Sequence, residues 1–282
     1  MTGRREERWI VFALLLPALV LYGACFIWPT GVLLSRSVTE AGELSLVNYR
    51  ELLETPLYLG VIWTTLRISV VTTVVCLVIG YPVAMLMERA GPRARILLLL
   101  AVTVPYWLDY IVRTYSWMVL LGRYGFVNQV LMWLGLVDVP YSHLSSELAV
   151  LVGTIQVMLP LMILALFAAM TRIDRTLMDA AAAHGASAWR AFRTVYLPLS
   201  MPGVIAGALL TFVNTVGFYI TPALLGGPRQ TMISQSIETL AAKLFDWPMA
   251  ATVSVVLLVI SLAILVVFNR FFGLERLAGG DR

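Results

Sequence analysis

Residues Asp179–Pro198 read DAAAAHGASAWRAFRTVYLP, and the rest of the chain is organised around them. Asp-Ala-Ala-Ala-Ala is a strong helix former, opened by an acid that suits a helix N-terminus. Gly185 supplies the positive φ that ends such a helix, and Ser187 can cap a second one. In that second stretch Trp189, Phe192 and Tyr196 recur at i, i+3 and i+7 on one face, while Arg190 and Arg193 lie elsewhere. Pro198 is expected to end it and Pro202 to open the apolar run that follows. The aromatic face of the pair then needs a partner. Lipid headgroups and a groove on a soluble protein both fit it.

Uncharged runs flank this segment on both sides. Trp9–Ser35 has 27 residues, Ile68–Met87 has 20, Leu148–Thr171 has 24, Thr194–Pro228 has 35 and Trp247–Asn269 has 23. A bilayer-spanning helix needs ~20. A sixth candidate, Ile96–Gly122, is interrupted by Asp109 and Arg113. Four prolines in the longest run place its helix between the two pairs, near 203–225. The expected organisation is an all-α integral membrane protein with a segment 1–8, six spans and a tail 274–282. The spans fall near 9–35, 64–87, 96–120, 148–171, 203–225 and 247–270, within a single domain 9–273, and a loop 172–201 joins the fourth to the fifth. The first run exceeds the ~7–15 apolar residues of a signal peptide and is read as an uncleaved span.

Composition agrees. Hydrophobic residues make up 60% and charged residues 13%, against about 45–50% and about 25% in soluble domains. Thirteen arginines fall in the segments that share a side with both termini and with loop 172–201, against five basic residues opposite. The richer side is therefore cytoplasmic. Of the 20 basic residues only Lys243 is a lysine, and no glycine loop precedes it, so any nucleotide that drives this protein binds to another chain. The basic total is a topology signal, not a nucleic-acid footprint. Cys25 and Cys76 read as small buried hydrophobes, and His143 and His184 sit in no metal-ligand cluster. On the outer side, residues 45–54 carry Leu46, Tyr49, Leu52 and Leu53 at helical spacing, either a short interfacial helix or a plain connector.

The stretch 179–198 resembles the cytoplasmic loop of ABC importer permease subunits, E-A-A-x-x-x-G-x9-I-x-L-P. Here it is Asp179-Ala180-Ala181, Gly185 and Val195-Tyr196-Leu197-Pro198, with every spacing kept. The resemblance implies a type I ABC importer permease fold, and it implies that loop 172–201 is a coupling helix docking into a groove of an ATPase dimer. Asp179, Ala180, Ala181, Gly185, Val195, Leu197 and Pro198 carry that role over. Three shorter strings, Val112–Trp117, Phe218–Gly227 and Asp246-Trp247-Pro248, look like spermidine/putrescine permeases of the PotB type. There Pro248 would precede a bulky residue, Gly and Ala, whereas this chain has Met249-Ala250-Ala251, and Asp109 replaces a small polar residue. The resemblance further implies alternating access, a related second permease in a heterodimer and a periplasmic or lipid-anchored solute-binding protein. Membrane lipids surround the spans, and no nucleic acid is involved. No cofactor is expected on this chain, since ATP and Mg belong to the partner ATPase.

Ionisable groups inside spans are costly and mark functional candidates. Asp109 and Arg113 sit at i, i+4 with the acid first, the favourable order for a helix pair. They form an internal ion pair, or Asp109 lies on the translocation path beside Tyr106, Trp107 and Tyr110, where a carboxylate and aromatic rings suit an ammonium. Gln156, Asn214, Phe218 and Tyr219 are further path candidates. The solute is expected to be a polyamine or, in the same importer class, an opine, an amino-acid-derived cation or another small organic molecule. A secondary transporter would show inverted repeats, and an intramembrane enzyme would show paired carboxylates or a Ser/His constellation; neither pattern is visible.

Overall fold

The computed structural model describes residues 15–40, 43–174 and 176–272. The expected segment 1–8, the first residues (9–14) of the first span, Arg175 and the tail 274–282 lie outside these. Twelve helices are described. α1 is Leu15–Ser37; α2 is Val47–Glu54; α3 is Pro56–Arg89; α4 is Pro92–Tyr106; α5 is Tyr110–Leu121; α6 is Phe126–Trp133. α7 is Glu147–Met170; α8 is Thr176–Ala183; α9 is Ala188–Val216; α10 is Ile220–Leu225; α11 is Ile233–Glu238; α12 is Trp247–Phe272. The described strand pairing is a two-residue antiparallel ribbon, Thr39–Glu40 (β1) with Glu43–Leu44 (β2).

Five of these helices (α1, α3, α7, α9 and α12) are long and apolar enough to cross a bilayer, and a sixth crossing is possible only as a bent pair. That pair is the expected third span. Instead of one helix over 96–120, α4 ends at Tyr106 and the chain restarts at Tyr110 after a 90° turn. Pro105 removes an N–H in the last turn of α4, and Asp109 offers a better start than a continuation.

The expected fifth span also moves. A single helix runs through Pro198 and Pro202, from Ala188 to Val216, and stops at Gly217. A π-turn at Phe192–Tyr196 makes this possible: the Leu197 N–H reaches back five residues to the Phe192 carbonyl, stepping the backbone around Pro198. Residues 220–225 form the separate short helix α10. α7 and α12 start within a residue of expectation, whereas α3 starts at Pro56, eight residues before the expected 64; Ser146 caps α7, its hydroxyl accepting from the Ala149 N–H at 3.2 Å.

Contacts divide the chain into two units, the described parts of Met1–Tyr58 with Ile237–Val256, and of Leu59–Ser236 with Leu257–Arg282. In the first, α1 keeps an exposed apolar surface, Cys25 included, which corrects the expectation that this thiol is buried. Thr252 Oγ1 donates to the Ser37 carbonyl at 3.3 Å, and Tyr49 Oη donates to Ser37 Oγ at 3.0 Å. The short helix expected at 45–54 forms as α2 and buries Leu52 and Asn48.

The second unit holds the main core. Cys76, Met87, Met158, Met162, Leu166 and Met170 are buried together between α3 and α7, with Tyr196 closing one end. α9 lies against α7 through Gly203 and Gly207. A Cβ at Gly203 would meet Ala169 Cβ at 2.5 Å, and one at Gly207 would meet Met162 Sδ at 2.8 Å. Small residues four apart let two helix backbones approach where lipid gives no hydrophobic drive. Arg67 and Glu147 tie α3 to α7 at 2.6 Å.

Candidate functional site

The first candidate region is the turn that leads from α7 into α9. Asp174 accepts from the Thr176 N–H at 2.9 Å and so caps α8. This role was missed in the sequence, although an Asp ahead of a helix, accepting from an amide of its first turn, is a recognised capping signal. The bond to the Thr176 amide holds the fully exposed Asp174 carboxyl below its usual value of 3.8. Asp179, the first residue of the motif, stands in the first turn of α8. The helix closes as a Schellman motif: the Ala186 N–H bonds the Ala181 carbonyl at 3.0 Å and the Gly185 N–H bonds the Ala182 carbonyl at 2.9 Å. Gly185 has φ +77°, the left-handed conformation that glycine adopts without steric cost.

No residue of α8 is buried. Asp179, Ala180 and Gly185 are exposed and Ala181 half-buried; Val195 and Leu197 are half-buried in the π-turn region, and Pro198 is exposed on α9. The aromatic face divides. Tyr196 is 4% exposed, with the Arg89 guanidinium 5.9 Å from its ring centroid. Phe192 stacks on Tyr196 at 6.0 Å and meets Tyr81 edge-on at 6.1 Å, so α3 covers much of the face that seemed to need an outside partner. Trp189 remains 69% exposed, stacked on Phe192. Arg95 donates to the Glu88 carbonyl at 2.7 Å and thus satisfies an end of α3. Between α3, α8 and α9 lies a cavity of about 220 Å³ lined by Glu88, Arg89, Met178, Asp179 and Tyr196.

The second region surrounds the break between α4 and α5. Asp109 is not mid-helix but the N-cap of α5. Its Oδ1 accepts from the Ile111 N–H at 2.7 Å and from the Val112 N–H at 3.4 Å. The expected ion pair with Arg113 does not form. Arg113 is 5% exposed, its guanidinium carbon lies 4.9 Å from the Tyr110 ring centroid, and its three side-chain nitrogens are enclosed without a hydrogen-bond partner among the described residues. Competition explains this: an acid at an N-cap reaches two free backbone donors at once, at lower entropic cost than holding a long arginine.

The path candidates come together only in part. Tyr110 meets Phe218 edge-on at 5.9 Å, and Tyr219 follows at the foot of α10. Trp107 is 82% exposed at the break, next to the exposed Asp109, and Tyr106 is half-buried at the end of α4. Asn214 is exposed and donates to the Leu210 carbonyl at 2.8 Å. Gln156 stands apart on α7, lining a different cavity with Pro105 and Trp117. The sequence reading also missed the hydroxyl pair Thr114–Thr221, 3.0 Å apart, which joins α5 to α10.

Long apolar helices, three of them (α3, α7 and α9) packed in one core, with the chain between α7 and α9 turned out into a short helix without a buried residue, define a membrane permease architecture. The chain belongs to the family of binding-protein-dependent transport system inner membrane components, which it matches over residues 8–273. It is 35% identical over 262 residues to the spermidine/putrescine transport system permease protein PotB of Haemophilus influenzae, covering 93% of this chain and 90% of that one. It is 32% identical to PotB of Escherichia coli K12, covering 93% of each. Among solved structures, a bacterial alginate ABC transporter in complex with its pentasaccharide-bound periplasmic protein matches with a TM-score of 0.82 at 18% identity, covering 94% of each chain. The MetNI methionine ABC transporter matches with 0.58 at 22% identity, covering 76% of this chain and 94% of that one. The fold is that of a type I ABC importer permease. The chain is a multi-pass membrane transport subunit and not itself the ATPase, which is a separate subunit of such importers.

Proposed function

We propose that this permease imports a polyamine, spermidine or putrescine, by alternating access. The observation that carries the reading is the similarity to PotB of two organisms across 93% of the chain. In this reading a periplasmic or lipid-anchored binding protein delivers the solute to the outer loops. A related second permease completes a heterodimeric membrane pair, and an ATPase dimer holding ATP and Mg closes beneath it. Both termini and the 171–187 turn face the cytoplasm, the side to which the arginine excess assigns them.

Coupling falls to the motif residues. α8 has a closed hydrogen-bond ladder at its C-terminus and no buried side chain of its own, so it is a preformed helix with a free face. Such a helix seated in a groove moves with its partner as a rigid body. Asp179, Ala180, Ala181 and Gly185 belong to that helix and its closing turn, while Val195, Leu197 and Pro198 stand at the π-turn inside α9. Tyr106, Trp107, Asp109, Tyr110, Gln156, Asn214, Phe218 and Tyr219 supply the path. With one carboxylate among them, tight recognition of a polycation rests with the binding protein, and weak holding in the membrane favours release.

The test is reconstitution of the whole importer in vesicles, with uptake of labelled spermidine and putrescine read beside ATPase stimulation by loaded binding protein. Uptake of either polyamine supports the reading. Import of an opine or another amino-acid-derived solute in its place overturns the polyamine assignment and leaves the importer class standing.

A further inference from the structure

A second cavity lies among α3, α4, α5 and α7, lined by neither Tyr110 nor Phe218. It measures about 540 Å³, and its walls come from α3 (Val75, Ile79), α4 (Pro105), α5 (Trp117) and α7 (Gln156, Leu159). That volume falls in the range of ~300–1,000 Å³ typical of small-molecule sites. The lining is almost entirely apolar, with two exceptions, the Gln156 amide and the Trp117 indole. Gln156 Oε1 is enclosed and has no hydrogen-bond partner among the described residues.

We propose that this cavity is a solute subsite for an alkylammonium group. The Gln156 amide oxygen accepts from the ammonium, the Trp117 ring faces the cation, and the methylene chain lies along Val75, Ile79 and Leu159. The proposal rests on the polyamine reading and adds a place for the solute.

The orphan acceptor selects the occupant. A buried amide oxygen without a donor carries an unrecovered desolvation penalty. A lipid acyl chain or a leucine-rich helix face would fill the space and leave that penalty untouched. A trapped water needs two to four polar partners, and this lining offers too few. An alkylammonium brings N–H donors to the one acceptor and hydrocarbon to the remaining wall. Indole is the strongest aromatic partner for a cation, and the attraction grows where water is excluded. Terminal amide torsions are broad, so the rotation of the Gln156 amide that would bring its oxygen to the cavity costs little. A neutral acceptor in place of a carboxylate keeps the hold weak enough for the solute to leave.

The test uses the reconstituted importer with Gln156→Leu, Gln156→Glu and Trp117→Leu, reading initial uptake of spermidine and putrescine at subsaturating loaded binding protein. Gln156→Leu and Trp117→Leu are expected to lower uptake about tenfold each, the equivalent of ~1.4 kcal/mol. Gln156→Glu, which keeps an acceptor and the volume, is expected to import more than Gln156→Leu, and this holds as rescue even if the leucine variant assembles poorly. A parent complex that imports polyamine while Gln156→Leu imports it equally well overturns the subsite alone. An unchanged uptake with a raised melting temperature for Gln156→Leu identifies a lipid- or helix-covered groove and likewise overturns it. A parent complex that imports neither polyamine overturns the polyamine reading and the ligand class proposed here together.

Discussion

Two short interruptions of the helical chain behave very differently. Between α7 and α9 the chain leaves the core, forms α8, turns at Gly185 and re-enters, and nearly every backbone bond of that turn follows from residues next to each other in sequence. Between α4 and α5 three residues turn the chain by 90° and leave a guanidinium buried against the Tyr110 ring with no hydrogen-bond partner among the described residues. The first interruption is locally self-sufficient and offers an outward face. The second is locally capped by Asp109 but carries an unpaired charge inward. A break that satisfies itself is suited to docking, whereas a break that leaves a cost behind is suited to changing state.

The sharpest way to break this contrast is to spoil the outward face. Gly185→Arg puts a side chain at φ +77°, and Ala181→Arg puts one on the face of α8. Uptake is expected to fall about 30-fold or more, the scale of a central interface residue, while ATP hydrolysis continues. If both variants import solute as the parent does, α8 is not the coupling element.

Next in size is Arg113→Met. Replacing an unpaired buried cation by an apolar chain of similar length is expected to raise unfolding stability in detergent by about 1–2 kcal/mol. A large loss would mean that the guanidinium has a partner and that the two breaks are more alike than described. Asp109→Ala should then cost about 1 kcal/mol through the lost cap, with Asp109→Asn close to the parent because asparagine caps as well. The asparagine variant is still expected to import poorly if Asp109 meets the solute; normal uptake would confine it to capping.

The smallest effect is on α8 itself. The Thr176 amide depresses the Asp174 pKa, so the bond contributes stability above the unfolded-state value of 3.8 and loses it as pH falls through the lower folded value. Proteolytic cutting at 171–187 should rise only below about pH 4, and Asp174→Asn should flatten that rise. Fraying that begins near neutral pH would point to a group other than Asp174.

The same contrast explains what could be read from the chain beforehand. The Schellman turn, the Ser187 cap and the α2 helix are written in adjacent residues, and all three stand in the structure. The Asp109–Arg113 pair and the proline stop at 198 are equally valid local rules, and both lost to a competitor. At 109 the competing force was a pair of free backbone donors following Pro105. At 198 it was a π-turn, whose cost is met by Tyr196 and Phe192 packing on α3, a partner more than a hundred residues away. Gln156 was visible as a polar residue in an apolar run, but the cavity that gives it meaning needs four helices in place.

The continuous helix through Pro198 has a mechanical meaning. From Trp189 to the close contact at Gly203 is about 21 Å, and from Gly203 to Val216 about 20 Å, at ~1.5 Å per residue. The close contact on α7 thus sits near the middle of α9, with arms of similar length on either side. One unbroken helix therefore joins the exposed Trp189 end to the residues that lead into Phe218 and Tyr219, with no loop between them to absorb a displacement.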